Sequence, residues 1–372
     1  MATWSNSASP GIGRNTVVIP FGFSYLPLKK LALINFEKNP DSMYVGLEPQ
    51  YFHDDDYGRG YRVIAYRNDG FVDVYDDPGL HDDKDDSFDV TGKGLCERIK
   101  TVIEQARFEK QKDGCVTIFF QFIDKYGRLI TAGIEEQAKR KTRGLNLLAP
   151  VGSSTENPSY LPMFFLYNFD FVRKRNTKLD LKIGGRSIKP DHFPFPIPKD
   201  MQWRYFTRYS DDCQIIEFAN ARTGVLQECI PDEDGRVVQG SVEYQFNESG
   251  ALLKMWPRQS DHRFLVEFRG GLPDVRSMSN HSEYEDTFKI SADDGMGFVS
   301  GEYSVRREGR QVQVQLVPAG GWRPDPDSWF TKIMFGNKSV FCSWPKTYRY
   351  SQVIDASTLA STSFWKRVPL TD

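Results

Sequence analysis

"GYRVIAYRNDGFVDVYDD", Gly60 to Asp77, sets two alternating runs, Tyr61–Tyr66 and Phe71–Tyr75, on either side of Asn68-Asp69-Gly70. Alternation with period two marks strands with one face buried, and Asn-Asp-Gly supplies residues that tolerate positive φ in a tight turn. The stretch therefore reads as an antiparallel hairpin. Its pattern recurs along the chain. "LDLKIGGRSIK" turns at Gly184-Gly185, "SVEYQFNESGALLKM" turns between Asn247 and Gly250, and "CVTIFFQFIDKYGRLITAGIEE" turns at Lys125-Tyr126-Gly127. In "GEYSVRREGRQVQVQLVP" the turn is Glu308-Gly309; Val312, Val314 and Leu316 share one face, and Gln311, Gln313 and Gln315 the other.

One segment breaks the rhythm. In "KGLCERIKTVIEQARFEKQ" the apolar residues Leu95, Ile99, Val102, Ile103 and Ala106 fall at helical spacing, which predicts a helix near 93–108. The proline run Phe193–Lys199, "FPFPIPK", is excluded from helix and central strand, and marks a crossing between domains. The expected fold is mainly β, with two antiparallel β-sandwich or lipocalin-like barrel domains and one helix in the N-terminal half. The domains are 1–192 and 200–372, joined by the crossing at 193–199. The hairpins at Gly60 and Gly301 echo each other; turn chemistry alone accounts for that as well as duplication does.

A chain of 372 residues suits two cores, and its 14% aromatic content supplies large apolar areas to bury. With a net charge of -2 it carries no field suited to nucleic acid or an anionic membrane, and no apolar stretch reaches the length of a membrane span. Cysteines at 96, 115, 213, 229 and 342 form no Cys-x-x-Cys pair and read as reduced thiols; no secretory leader is evident, so a cytoplasmic location is expected. The sequons at Asn247, Asn280 and Asn337 are then incidental. No P-loop, nucleophile elbow, dinucleotide fingerprint or HExxH occurs, so no cofactor is expected. The acidic stretches at His53–Asp56 and His81–Asp86 lack an EF-hand pattern; they read as solvated turns and no metal is assigned.

What stands out is the pairing of aromatics with arginine. In "MQWRYFTRYS" alternation sends Trp203, Tyr205 and Tyr209 to one face, and Gln202, Arg204, Phe206 and Arg208 to the other. Arg204 and Arg208 are candidates to hold a carboxylate or polarise a carbonyl. Trp256 with Arg258, and Trp322 with Arg323, repeat the theme. In "YVGLEPQYFHDDD", Glu48, Tyr51 and His53 form a second acid–base candidate, whereas His192 suits a boundary position.

The barrel-type hairpins in "GMGFVSGEYSV", 295–305, and "VPAGGWRP", 317–324, together with the two-domain plan, resemble the lipocalin-like family of carotenoid 1,2-hydratases and fungal lipocalin-type Diels–Alderases. The resemblance covers most of the chain in plan and carries over no catalytic residue. It implies a ligand in an apolar cavity or between domains, and chemistry without a cofactor.

The expected function is binding of an apolar or amphipathic small molecule, alone or with cofactor-independent hydratase, isomerase or cyclase chemistry. Arg204, Arg208, Glu48 and His53 would act on the ligand, and Trp203, Tyr205, Tyr51, Trp256, Arg258, Trp322 and Arg323 would line its site. One alternative is a carbohydrate-active protein pairing Glu48 with Asp170 or Glu217. Another is a structural or protein-interaction module.

Overall fold

The computed structural model describes residues 16–26, 28–38, 40–55, 57–81, 89–90, 93–137, 144–149, 157–193, 198–258, 260–326, 329–336 and 346–370. The Gly60 stretch forms the expected hairpin: Gly58–Arg67 pairs antiparallel with Val72–Asp76, and Gly70 takes φ 89° at the turn. Val312, Val314 and Leu316 are fully buried while Gln311 and Gln313 face solvent, as alternation requires.

The chain is mainly β, with three large sheets and a two-stranded pair, Val17–Ile19 with Gln227–Cys229, among the described residues. The central sheet runs, in spatial order, Phe23–Leu26, Asp212–Phe218, Leu161–Arg173, Arg204–Ser210, Leu28–Asn35, Tyr44–Asp54, Gly58–Arg67, Val72–Asp76, Lys93–Lys100 and Asp89–Val90; Leu145–Ala149 adds to Leu161–Arg173. A five-stranded sheet is built from Arg186–Ser187, Thr177–Ile183, Leu129–Glu136, Val116–Ile123 and Glu104–Lys110. The third sheet has ten strands in order Thr223–Val225, Ala360–Val368, Thr347–Asp355, Gln311–Pro318, Phe298–Glu308, Glu283–Ala292, Phe264–Leu272, Leu252–Pro257, Val242–Phe246 and Arg236–Gln239. It is a half-barrel: its two edge strands do not pair with each other among the described residues.

The central sheet serves two cores. One end packs with the half-barrel, where Phe21, Phe218, Phe268, Tyr350 and Trp365 form a single buried cluster. The other end packs on the five-stranded sheet through Ile34, Leu47, Val63, Tyr75, Phe120, Ile130 and Tyr209. Strand Leu161–Arg173 belongs to both. Its first part, through Phe169, sits in the half-barrel core, and Val172 sits in the other. Asn168, just before Phe169, takes φ 52°, a left-handed conformation that Asn tolerates better than most residues. Gly144 approaches so closely that a Cβ there would lie 2.6 Å from the Asn168 backbone.

The two cores do not part at the proline run. Arg204–Ser210, which follows it, pairs with Leu161–Arg173 and Leu28–Asn35 in the central sheet. Residues 194–197 of the crossing lie outside the described residues. Gln202 holds its near end: Phe193 N donates to Gln202 Oε1 at 3.0 Å, and Gln202 Nε2 donates to Phe193 O at 3.2 Å.

The helix expected near 93–108 is two strands, Lys93–Lys100 and Glu104–Lys110. Strand Val72–Asp76 is fully buried and needs backbone partners on both edges; Lys93–Lys100 supplies the second edge as a parallel neighbour. The apolar residues do not share one face, since Val102 is 62% exposed and Ile103 only 5%. Gln105, at φ 53°, has left helical geometry. Long-range pairing overrides local periodicity here. A short helix lies elsewhere, at Trp329–Gly336, with Phe335 packed edge-on against Trp322 at 5.0 Å. No helix among the described residues is long and apolar enough to cross a membrane.

Candidate functional site

Sheet register brings two of the expected site residues into one row. Arg208 pairs with both Phe171 and Leu33. Leu31 pairs with Gln50 and Ile34 with Leu47, which sets Leu33 beside Glu48; Glu48 pairs with Ile64, and Ile64 with Val74. The row Phe171, Arg208, Leu33, Glu48, Ile64, Val74 thus runs across six strands on the face turned away from the five-stranded sheet. Arg208 and Glu48 sit two strands apart, a backbone separation of about 9–10 Å. A long arginine side chain spans most of that.

Glu48 is buried. Gln50 Nε2 donates to its Oε1 at 2.8 Å, and the Tyr66 hydroxyl donates to its Oε2 at 2.5 Å. Burial pushes the carboxyl above its ordinary range, and the Tyr66 and Gln50 hydrogen bonds and the Arg208 charge offset only part of that. Glu48 and Arg208 make no direct ion pair among the described residues.

Arg208 is half-buried, and burial depresses its guanidinium. Its Nη1 donates to Asn35 Oδ1 at 2.9 Å and to Phe206 O at 3.4 Å, and its plane lies 4.6 Å from the Phe206 ring centroid. Nε and Nη2 have no partner among the described residues. A guanidinium carries five N–H donors and normally meets a carboxylate or phosphate when withdrawn from water. From Phe206 a chain of rings continues: Phe193 at 5.7 Å, Phe171 a further 4.7 Å on, and Phe169 5.1 Å beyond that. An anion-seeking head and an apolar wall therefore lie side by side.

The other expected site residues are placed elsewhere. Arg204 is taken up by Asp170 at 3.3 Å and by the Phe171 carbonyl at 2.5 Å, so it serves the fold. Trp203 is 86% exposed. Tyr205 packs toward the five-stranded sheet, with Lys174 Nζ 5.6 Å from its ring. Tyr51 and His53 bond each other at 3.3 Å but alternate to the opposite face from Glu48, so this trio does not assemble. Glu217 accepts from the Ser24 hydroxyl, and Asp170 pairs with Arg204. Trp322 is core, its Nε1 donating to Met296 O at 2.7 Å; Arg323 is exposed, over Phe298. Trp256 and Arg258 border a separate open groove of about 470 Å³ at the Leu252–Pro257 end, with His262, Arg263 and Phe264.

Among the described residues no cluster of His, Cys, Asp and Glu has metal-holding geometry; Asp56 and 82–88 of the acidic stretches, and Asn337 and Cys342, lie outside them. Asn35, Gln50 and Tyr66 adjoin the row; Gln50 stands between Glu48 and Tyr51 in the stretch singled out in the sequence, whereas Asn35 and Tyr66 carry no such signal. Only pairing register brings them to Arg208 and Glu48. Comparison with family models, curated proteins and solved structures finds no match.

Proposed function

We propose that the protein binds a small, largely apolar molecule through a carboxylate or carbonyl head seated on Arg208. The observation that carries this reading is a half-buried arginine beside an aromatic wall, with Nε and Nη2 engaged by no other group among the described residues and free to meet a ligand. A bidentate oxygen ligand matches that fork. The Phe206, Phe193 and Phe171 rings give the apolar remainder a wall, and Glu48, whose carboxyl burial pushes above its ordinary range, stands two strands away as a candidate acid. Such an acid beside a carbonyl-binding arginine suits hydration, isomerisation or cyclisation without a cofactor. The ligand would sit on the central sheet and not against the ten-stranded sheet, where Phe21, Phe268, Tyr350 and Trp365 are packed in a buried core.

Thermal shift with decanoic acid and decanol, which share a chain and differ in the head, tests the reading. Saturating decanoate is expected to raise Tm by several degrees and decanol by less, through ligand linkage to the folded state. Arg208→Ala and Arg208→Lys should both lose most of the decanoate shift, because lysine cannot reproduce the fork. Equal shifts in wild type and Arg208→Ala would overturn it. A protein-interaction role draws on one observation, the neighbouring exposed side chains Met201 at 64% and Trp203 at 86%. Its signature would be loss of self-association or partner capture in Trp203→Ala with ligand shifts unchanged.

A further inference from the structure

His262 is held from both sides. Its Nε2 lies 2.8 Å from Asp212 Oδ1 and its Nδ1 lies 2.9 Å from Asp293 Oδ2. Its ring stacks on Tyr167 with centroids 3.7 Å apart and planes 7° from parallel. The three partners come from different places. Tyr167 and Asp212 belong to paired strands of the central sheet, His262 to the turn before Phe264–Leu272, and Asp293 to the turn after Glu283–Ala292 of the half-barrel.

The geometry decides the protonation state. A carboxylate oxygen only accepts, so both ring nitrogens must donate, and only imidazolium has two N–H groups. Neutral imidazole would leave one carboxylate facing a nitrogen lone pair. Burial alone pushes His262 down, but the hydrogen bonds and charges of Asp212 and Asp293 outweigh it and hold the group protonated above its ordinary value. The other charged groups here do not reverse that. Asp211 is engaged by Lys110, Asp261 by Lys29, Asp294 is exposed 4.0 Å from the exposed Arg263, and the Tyr167 hydroxyl lies near Asp293. Arg263 also donates its backbone N–H to Asp293 Oδ1 at 3.0 Å.

We propose that Asp212, His262 and Asp293 form a proton-operated clamp that ties the central sheet to the half-barrel while His262 is charged and loosens when the proton leaves. His262 itself lines the groove that runs from Trp256 to Leu265, so the clamp's state reaches that groove. It stands independently of the Arg208 reading. Because the folded-state pKa is raised, the stabilisation is fully present below the unfolded value near 6.5 and is lost as pH rises through the folded value.

Long-range 1H–15N spectra of the histidine rings, with His262→Gln to assign the signal, test it. Both His262 nitrogens are expected to be protonated at pH 7, with a midpoint above that of an ordinary histidine. Asp293→Asn, which keeps an acceptor but removes a charge, should lower that midpoint. Hydrogen exchange at 258–263 and 293–297 should speed as pH passes the midpoint, beyond the base-catalysed intrinsic rate, in wild type and not in His262→Gln. A single neutral tautomer at pH 7, or the same pH-dependent exchange in His262→Gln, would overturn the clamp.

Discussion

Arg62→Met is expected to lower stability by about 3–5 kcal/mol, because it strands a buried carboxylate. Arg62 is 1% exposed on strand Gly58–Arg67, and its Nε and Nη2 meet the two oxygens of Asp76 at 2.6 and 3.3 Å. The rings of Phe52 and Tyr57 cover it at 5.1 and 5.7 Å. Asp76 is equally buried, and its other cation, Arg98, stands at 3.8 Å, too far to take over both oxygens. Urea unfolding measures the loss. The double variant Arg62→Met with Asp76→Leu should recover a large part of it, since an apolar pair leaves no unpaired charge. A loss below about 1 kcal/mol in the single variant would mean that water reaches the pair.

Trp365→Ala carries a comparable cost, about 3–5 kcal/mol for a large core side chain. The indole is 1% exposed, lies 5.2 Å from the Tyr350 ring and donates Nε1–H to Ala219 O at 2.7 Å. That bond joins the half-barrel to the segment following strand Asp212–Phe218 of the central sheet. Phe21 bridges the same partners, 5.6 Å from Phe218 and 6.1 Å from Tyr350. A shared core makes these elements one cooperative unit. Calorimetry should therefore show the transition that contains the half-barrel moving down together with exchange protection in Asp212–Phe218. Protection in that strand unchanged by Trp365→Ala would contradict a shared core.

Hairpins were the legible part of this sequence, because turn and strands lie within a few residues of each other. Gly70, Gly127, Gly184, Gly250 and Gly309 all take positive φ at turns read from local chemistry alone. Residues 93–108 failed for the opposite reason. Their strand state depends on Val72–Asp76, a partner outside the local window. The face on which Phe206 and Arg208 sit was readable from alternation, but the capture of Arg204 by Asp170 was not, since that contact spans two strands. Grouping Glu48 with Tyr51 and His53 followed proximity in sequence, whereas a strand sends 48 and 51 to opposite faces. The clamp at His262 was invisible for a similar reason, with its carboxylates 50 and 31 residues away.

The most direct test of the Arg208 site is isothermal titration of decanoate into wild type, Arg208→Ala and Arg258→Ala. Arg258 borders the Trp256 groove and is exposed, so its variant separates the two locations without disturbing a core. One-to-one binding in wild type and Arg258→Ala, reduced at least tenfold in Arg208→Ala, is the predicted result. Binding that survives Arg208→Ala and disappears in Arg258→Ala would place the ligand in the groove and contradict the Arg208 site.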